Sequence, residues 1–139
     1  MFKDILVPVD LSQPDKGNAL IEQAKEIANQ YDGKLTLLHV LPEIPAYVMS
    51  QVPKAIYDGL ASTAEADLQD QVKKHGLSTN TEVRILHGHP SRQILDLAAD
   101  TEVDLILIAS HQPGLSDYLL GSTASNVVRH ARCSVLVTR

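Results

Sequence analysis

The chain has 139 residues, 44% of them hydrophobic and 21% charged, which suits one globular core and a single domain over residues 1–139. Twelve Lys and Arg against 17 Asp and Glu leave a net charge of −5 with no basic run, so a surface that grips the phosphates of polymeric DNA or RNA is not expected. Four Tyr, one Phe and no Trp argue against a base-stacking platform, and a single cysteine, Cys133, excludes an internal disulfide, CxxC redox pairs and Cys-rich zinc sites.

No apolar run reaches the length of a membrane span. The opening Met1-Phe2-Lys3-Asp4-Ile5-Leu6-Val7-Pro8-Val9-Asp10 carries one basic residue, and an acid interrupts its apolar stretch. It reads as a first strand rather than a signal peptide, and a cytoplasmic location is expected. Five short apolar runs predict strands: Ile5–Val9, Leu35–Leu41, Thr81–Leu86, Leu105–Ala109 and Val135–Thr138. The first and fourth are almost wholly aliphatic, as in strands covered on both faces. Between the runs, apolar residues recur at three- and four-residue spacing: Leu20, Ala24, Ile27 and Tyr31; Ala61, Ala64, Leu68 and Val72; Ile94, Leu97 and Ala98; Ala124, Val127 and Val128. Gly33 and Gly76 stand where the first two helices should end in a left-handed residue, and Pro90 fits the first turn of the third. The alternation β-α-β-α-β-α-β-α-β implies an α/β fold of three layers, a mostly parallel sheet with right-handed crossovers and helices on both faces. The irregular stretch Pro42–Pro53, with three prolines and the apolar Ile44, Tyr47, Val48 and Met49, is either a lid over a site or a contact surface.

In such a sheet ligands bind beyond the carboxyl ends of the strands, where the strand order reverses. The residues expected there are Asp10-Leu11-Ser12, His39-Val40-Leu41, His87-Gly88-His89-Pro90 and Ala109-Ser110-His111-Gln112-Pro113-Gly114. Gly121-Ser122-Thr123 opens the last helix, where free backbone N–H groups, two hydroxyls and the positive end of the helix dipole suit a phosphate. Ser122 as a simple N-cap is the competing reading. Asp10 is a hard oxygen ligand suited to Mg²⁺ beside a triphosphate, or a turn former with Ser12, Pro14 and Asp15. His87 and His89 lack a third ligand nearby, His130 suits a helix C-terminus, and His39 and His75 carry no signal. His111 has no serine–acid partner at a recognisable spacing, and Cys133 reads as a packing residue. There is no G-x-G-x-x-G after the first strand and no G-x-x-x-x-G-K-[ST] anywhere. The acidic pair and terminal lysine of a receiver domain are also missing, as are the hydroxyl-rich loop and aromatic walls of a flavodoxin and the serine–glycine-rich loop of the related pyrophosphatases.

Ile5-Leu6-Val7-Pro8-Val9-Asp10, Leu37-Leu38-His39-Val40 and Gly88-His89-Pro90, followed by Ile108-Ala109-Ser110-His111, Leu119-Leu120-Gly121-Ser122 and Val127-Val128-Arg129-His130-Ala131 with Cys133-Ser134-Val135-Leu136-Val137, together resemble the universal stress protein family. The likeness covers the whole chain and is nearest the bacterial F/G-type subclass. The resemblance implies an adenine nucleotide alpha hydrolase-like fold, strand order 3-2-1-4-5, and homodimers paired through the last strand around Val135 and Val137. In one branch it implies ATP (or ADP/AMP) with Mg²⁺, bound between the first and fourth strands in a regulator of the stress response. Asp10 would then face Mg²⁺ and the phosphates, Pro8, Val9, Val40 and Ile108 would line the adenine and sugar, and Ala109, Ser110, His111, Gly121, Ser122 and Thr123 would hold ribose and phosphates. The alternative is an interaction protein that binds no nucleotide and works through the proline-rich loop and the dimer surface. The nucleotide branch carries G-x-x-G-x₉-G-[ST]. Here Ala109 and Gln112 stand at the first two glycines, the interval to Gly121 is one residue shorter, and only Gly121-Ser122 is intact. No general base, arginine finger or Walker lysine is visible, so hydrolysis or autophosphorylation on Ser122 or Thr123 should be slow.

Overall fold

The structure is a computed structural model describing residues 1–110 and 121–139. Its elements are β1 (Asp4–Pro8), α1 (Pro14–Tyr31), β2 (Lys34–Leu41), α2 (Ala46–Met49), α3 (Lys54–Lys74), β3 (Glu82–His87), α4 (Pro90–Asp100), β4 (Leu105–Ala109), α5 (Ser122–His130) and β5 (Ser134–Thr138). All strand pairs are parallel, in the order β3-β2-β1-β4-β5. The five apolar runs therefore form the strands, each within a residue of its expected bounds.

Period-two alternation divides the core into two layers. Ile5, Val7, Val9, Leu35, Leu37, Leu105 and Leu107 face Leu20, Ile21 and Ala24 of α1 and Leu68 of α3. Leu6, Leu38, Ile106 and Ile108 face Ile94 and Leu97 of α4 and Ala124 and Val127 of α5. Strands covered on both faces have no polar side to show, which accounts for the near-continuous aliphatic Ile5-Leu6-Val7 and Leu105–Ile108. Each fully buried Leu or Ile contributes roughly 1.5–3 kcal/mol of transfer free energy. At the amino ends of the strands, the Asp104 carboxylate accepts the N–H groups of Lys3 (2.9 Å) and Asp4 (3.2 Å), pinning the entry of β1 to that of β4.

Two local expectations need correction. The left-handed residue that ends α1 is Asp32 (φ 52°), not Gly33. Gly33 is required for a different reason: a Cβ there would sit 2.5 Å from the carbonyl oxygen of Phe2. Gly76, at φ +62°, does end the second long helix as expected. The stretch Pro42–Pro53 is only partly irregular, since it contains the one-turn α2. The amino-terminal half of α3 finds little to pack on among the described residues. Only Ala64 and Leu68 of this helix are buried, while Ile56 and Leu60 are about half exposed, as are Tyr47 and Met49 of α2 or more so.

Candidate nucleotide cleft

β1 leads outward through β2 to β3, whereas β4 lies on the other side of β1, so the strand order reverses between β1 and β4. A cleft of about 280 Å³ opens at the carboxyl ends of these strands, at the position where parallel sheets bind ligands. Its floor and apolar wall are Pro8, Val9, Leu38, Val40, Ile94 and Ile108.

Two helices open onto the cleft by their amino ends. In α5 the N-cap is Gly121, and Ser122 is the first helical residue. The reading of Ser122 as an N-cap is therefore corrected: its hydroxyl caps nothing and has no hydrogen-bond partner among the described residues. The Gly121 carbonyl accepts the Ser125 N–H at 2.8 Å, which leaves the first-turn N–H groups of Ser122 and Thr123 without intrahelical acceptors. In α1, Pro14 occupies the first turn, where a missing N–H is harmless. Gly17 lets that turn approach the end of β1, since a Cβ there would already touch Val9 Cγ1 at 3.4 Å. The approach brings Gln13 and Lys16 to the rim of the cleft. Lysine in the first turn of a helix is electrostatically unfavourable, because that end of the dipole is positive. Placed there, Lys16 adds to the positive field of the cleft.

Asp10 follows β1 at the cleft edge. Its Oδ1 accepts both the backbone N–H of Ser12 (2.9 Å) and the Ser12 hydroxyl (2.6 Å), and its carbonyl accepts the Gln13 N–H (3.1 Å). The turn role expected of Asp10 is thus real, and it fixes the carboxylate. Oδ2 has no hydrogen-bond partner among the described residues, so the turn and a ligand can share the side chain. His39 also borders the cleft, its Nδ1 2.9 Å from the Val9 carbonyl oxygen.

Of the residues singled out in the sequence, Pro8, Val9, Asp10, Val40, Ile108, Ala109, Gly121, Ser122 and Thr123 come together around this cleft. Ser110 does not line it; its N–H goes to the Thr138 carbonyl at 2.7 Å, extending the β4–β5 ladder. His111 lies outside the described residues, as do Gln112, Pro113 and Gly114. Sequence reasoning missed Gln13, Lys16 and Gly17, whereas His39 and Pro90 stand among the strand-end residues expected here, without an assigned role. Lys16 had a readable signal, a cation in the first turn of a helix. The contact of His39 with Val9 had none, because only strand pairing brings it about. No residue of Pro42–Pro53 lines the cleft, so in this structure the stretch is not a lid.

The remaining candidates are structural. His89 precedes α4 with Nδ1 3.1 Å from the Ser91 hydroxyl, and His130 Nδ1 lies 3.0 Å from the Asn126 carbonyl in the last turn of α5. Burial pushes the Cys133 thiol up, away from thiolate chemistry. His75, assigned no role from sequence, is buried between α1 and α3. Among the described residues no group of three or more His, Cys, Asp or Glu is arranged to hold a metal, and no helix is long and apolar enough to cross a membrane.

Comparison with known proteins agrees with this architecture. The family model described as the universal stress protein family matches residues 1–139. Universal stress protein G of Escherichia coli O157:H7 is 32% identical over 143 residues, covering 100% of both chains. Universal stress protein UspA from Lactobacillus plantarum superposes with a TM-score of 0.82 at 30% identity, over 99% of this chain and 98% of that one. A universal stress protein from Archaeoglobus fulgidus, described as a complex with dAMP, superposes with a TM-score of 0.71 at 20% identity, over 99% and 98% of the two chains.

Proposed function

This chain belongs to the universal stress protein family, and on that premise we propose that it is an adenine-nucleotide-binding regulator of the stress response, cytoplasmic and homodimeric. The observation that carries the reading is the convergence of three unlike phosphate-holding features on one cleft. These are the open first turn of α5 with the Ser122 hydroxyl, which has no partner among the described residues, the Lys16 side chain on the first turn of α1, and the Asp10 carboxylate, which would act through a bound cation. Each is local, so a net charge of −5 does not oppose it; short-range donors act within the screening length that attenuates the distant surface field. The apolar wall of Pro8, Val40 and Ile108 suits the base and sugar. The Archaeoglobus protein described with dAMP supplies an adenine nucleotide on the same fold.

One carboxylate with a partner-free oxygen is a poor cage for a cation but fits Mg²⁺, which is commonly held by one or two carboxylates together with the phosphates of its nucleotide. Asp10 Oδ2 would be the protein ligand. The ion would neutralise phosphate charge when bound. We expect turnover to be slow, with Ser122 or Thr123 as the acceptor in any self-phosphorylation.

Calorimetric titration with Mg-ATP, paired with melting curves, tests the reading. Binding heat and a rise in melting temperature that grows with ligand concentration are expected, because a ligand selective for the native state must stabilise it. No heat at high protein concentration with an unchanged melting temperature would refute it. A second reading, an interaction protein that holds a macromolecular partner without nucleotide, has one observation in its favour: the exposed apolar side chains of Tyr47, Met49, Ile56 and Leu60 on α2 and α3.

A further inference from the structure

We propose that Pro8 holds the cleft open and so acts as a positioning residue for the bound nucleotide; the inference rests on the nucleotide reading above. β1 is the central strand of the sheet, and it ends in a proline. Proline has no N–H to give to a ladder and is ordinarily confined to edge strands, first positions and bulges. Its place in the middle of the sheet breaks that rule, and the cost falls on one side of β1.

Toward β2 the register runs through Pro8↔Leu38 and is continued by the Val9 N–H, which reaches the Leu38 carbonyl at 2.7 Å. Toward β4 it ends at Leu6↔Ile106, although β4 goes on pairing with β5 as far as Ala109↔Thr138. Alternation of the backbone groups explains the difference. Val9 directs its N–H toward β2, so Leu6 and Pro8 face β4. Ser110 gives its N–H to β5, so Leu105 and Leu107 turn their backbone groups toward β1. The next rung would be an N–H at position 8 given to the Leu107 carbonyl, and proline cannot supply it. The ladder therefore stops one rung short of the cleft. The same register, carried on, would set Pro8 beside Ile108, and both residues line the cleft. A residue with an N–H at position 8 would let β1 and β4 pair up to that level. The seam would then close where the base and sugar enter.

Two variants supply the missing N–H. Pro8→Ala trims the cleft wall and Pro8→Val enlarges it, so a loss shared by both does not come from side-chain size. The full chain and both variants would be melted and followed by amide hydrogen exchange without ligand, then titrated with Mg-ATP and with adenosine. The amide of residue 8 is expected to be protected from exchange in both variants, with melting temperatures at or above that of the wild-type chain, because a rung is gained. Both variants are expected to bind ATP and adenosine at least about tenfold more weakly than the wild-type chain, since a closed seam excludes the nucleoside itself. A residue-8 amide that exchanges as fast as one in an unstructured peptide would overturn the inference, as would wild-type affinity in either variant. Lower melting temperatures in both would mark Pro8 as a structural strand end and overturn it as well. A wild-type chain that binds neither ligand removes the nucleotide reading, while exchange of the residue-8 amide still decides whether Pro8 keeps the seam open.

Discussion

His75 on the α3 side and Glu22 of α1 are joined by a hydrogen bond of 2.5 Å between Nδ1 and Oε1, with the imidazole almost wholly buried. The other ring nitrogen lies 3.2 Å from Asn18 Oδ1 and 3.1 Å from Gln71 Oε1, so one side chain bridges the two helices packed on the same face of the sheet. The bridge lies beyond the buried part of α3, and its Asn18 leg adjoins Gly17, where α1 meets the cleft.

The hydrogen bond from His75 is the main cause holding the Glu22 carboxyl below its ordinary 4.5. A carboxyl that binds its proton less readily in the folded chain than in the unfolded one stabilises the fold above the unfolded pKa. That contribution is lost as pH falls through the lower folded value. Urea midpoints of the wild-type chain and E22Q should therefore differ at pH 7 and converge as the pH is lowered through 4.5 and below. A gap independent of pH would show that Glu22 acts by packing alone. His75→Ala removes three contacts from a buried position and should cost about 1–3 kcal/mol at neutral pH in the same assay.

Gly33 and Gly76 should respond differently to alanine. At Gly33 the new Cβ would lie 2.5 Å from the Phe2 carbonyl oxygen and 3.2 Å from Ile5 Cδ1, so the β1 and β2 backbones must separate where they begin to pair. At Gly76 there is space, the nearest atom being Lys25 Nζ at 3.9 Å, and the cost is the left-handed conformation alone, roughly 1–2 kcal/mol. Thermal melts should rank Gly33→Ala as the more damaging, at about 2–4 kcal/mol for a backbone clash with little room to relax. The reverse ranking would mean that the entrance of β1 yields easily.

These glycines show what was legible in the chain. Both stand where periodicity puts a helix end, but only Gly76 takes the left-handed conformation of one. The requirement at Gly33 comes from Phe2, a residue just before β1 and remote in sequence, and local periodicity carries no information about such an approach. The strands and long helices were readable because their signal is the spacing of buried side chains, as in Ile5-Leu6-Val7 or Leu20 and Ala24. The cleft was readable wherever a residue ends a strand or opens a helix: Asp10, Ala109, Gly121 and Ser122. The contacts of His39 and His75 were not. Their partners, Val9 and Glu22, lie 30 and 53 residues away and meet them only through tertiary packing.

The phosphate end of the cleft should show itself through charge. Ser122→Ala removes a hydroxyl that lines the cleft, and Lys16→Gln removes an ammonium from its rim. Each should weaken ATP by about 3- to 30-fold, the range of a single neutral or charge-assisted hydrogen bond, while leaving adenosine within about twofold. The loss in Lys16→Gln should shrink at high salt, whereas the loss in Ser122→Ala should not. Isothermal titration at two salt concentrations separates the two. Equal losses for ATP and adenosine would remove both residues from the phosphate subsite.

β5 ends the sheet, and its free edge has a definite polarity. The Ser110 N–H bonds the Thr138 carbonyl, so in a parallel ladder Thr138, Leu136 and Ser134 direct their backbone groups toward β4. The alternate residues, Val135 and Val137, then present their N–H and C=O groups outward while their side chains pack on the layer formed with α4 and α5. An open edge of this kind, with Val128 and Leu136 close to half exposed, is a template for pairing with a second copy of the chain. Proline at position 137 removes one outward donor without touching the β4 ladder, a substitution that edge strands tolerate. Val137→Pro should therefore shift the sedimentation mass from twice the chain to the single chain, with the circular dichroism spectrum retained. A dimer that survives this change must be held by another surface, and the exposed apolar residues of α2 and α3 would be the next place to substitute.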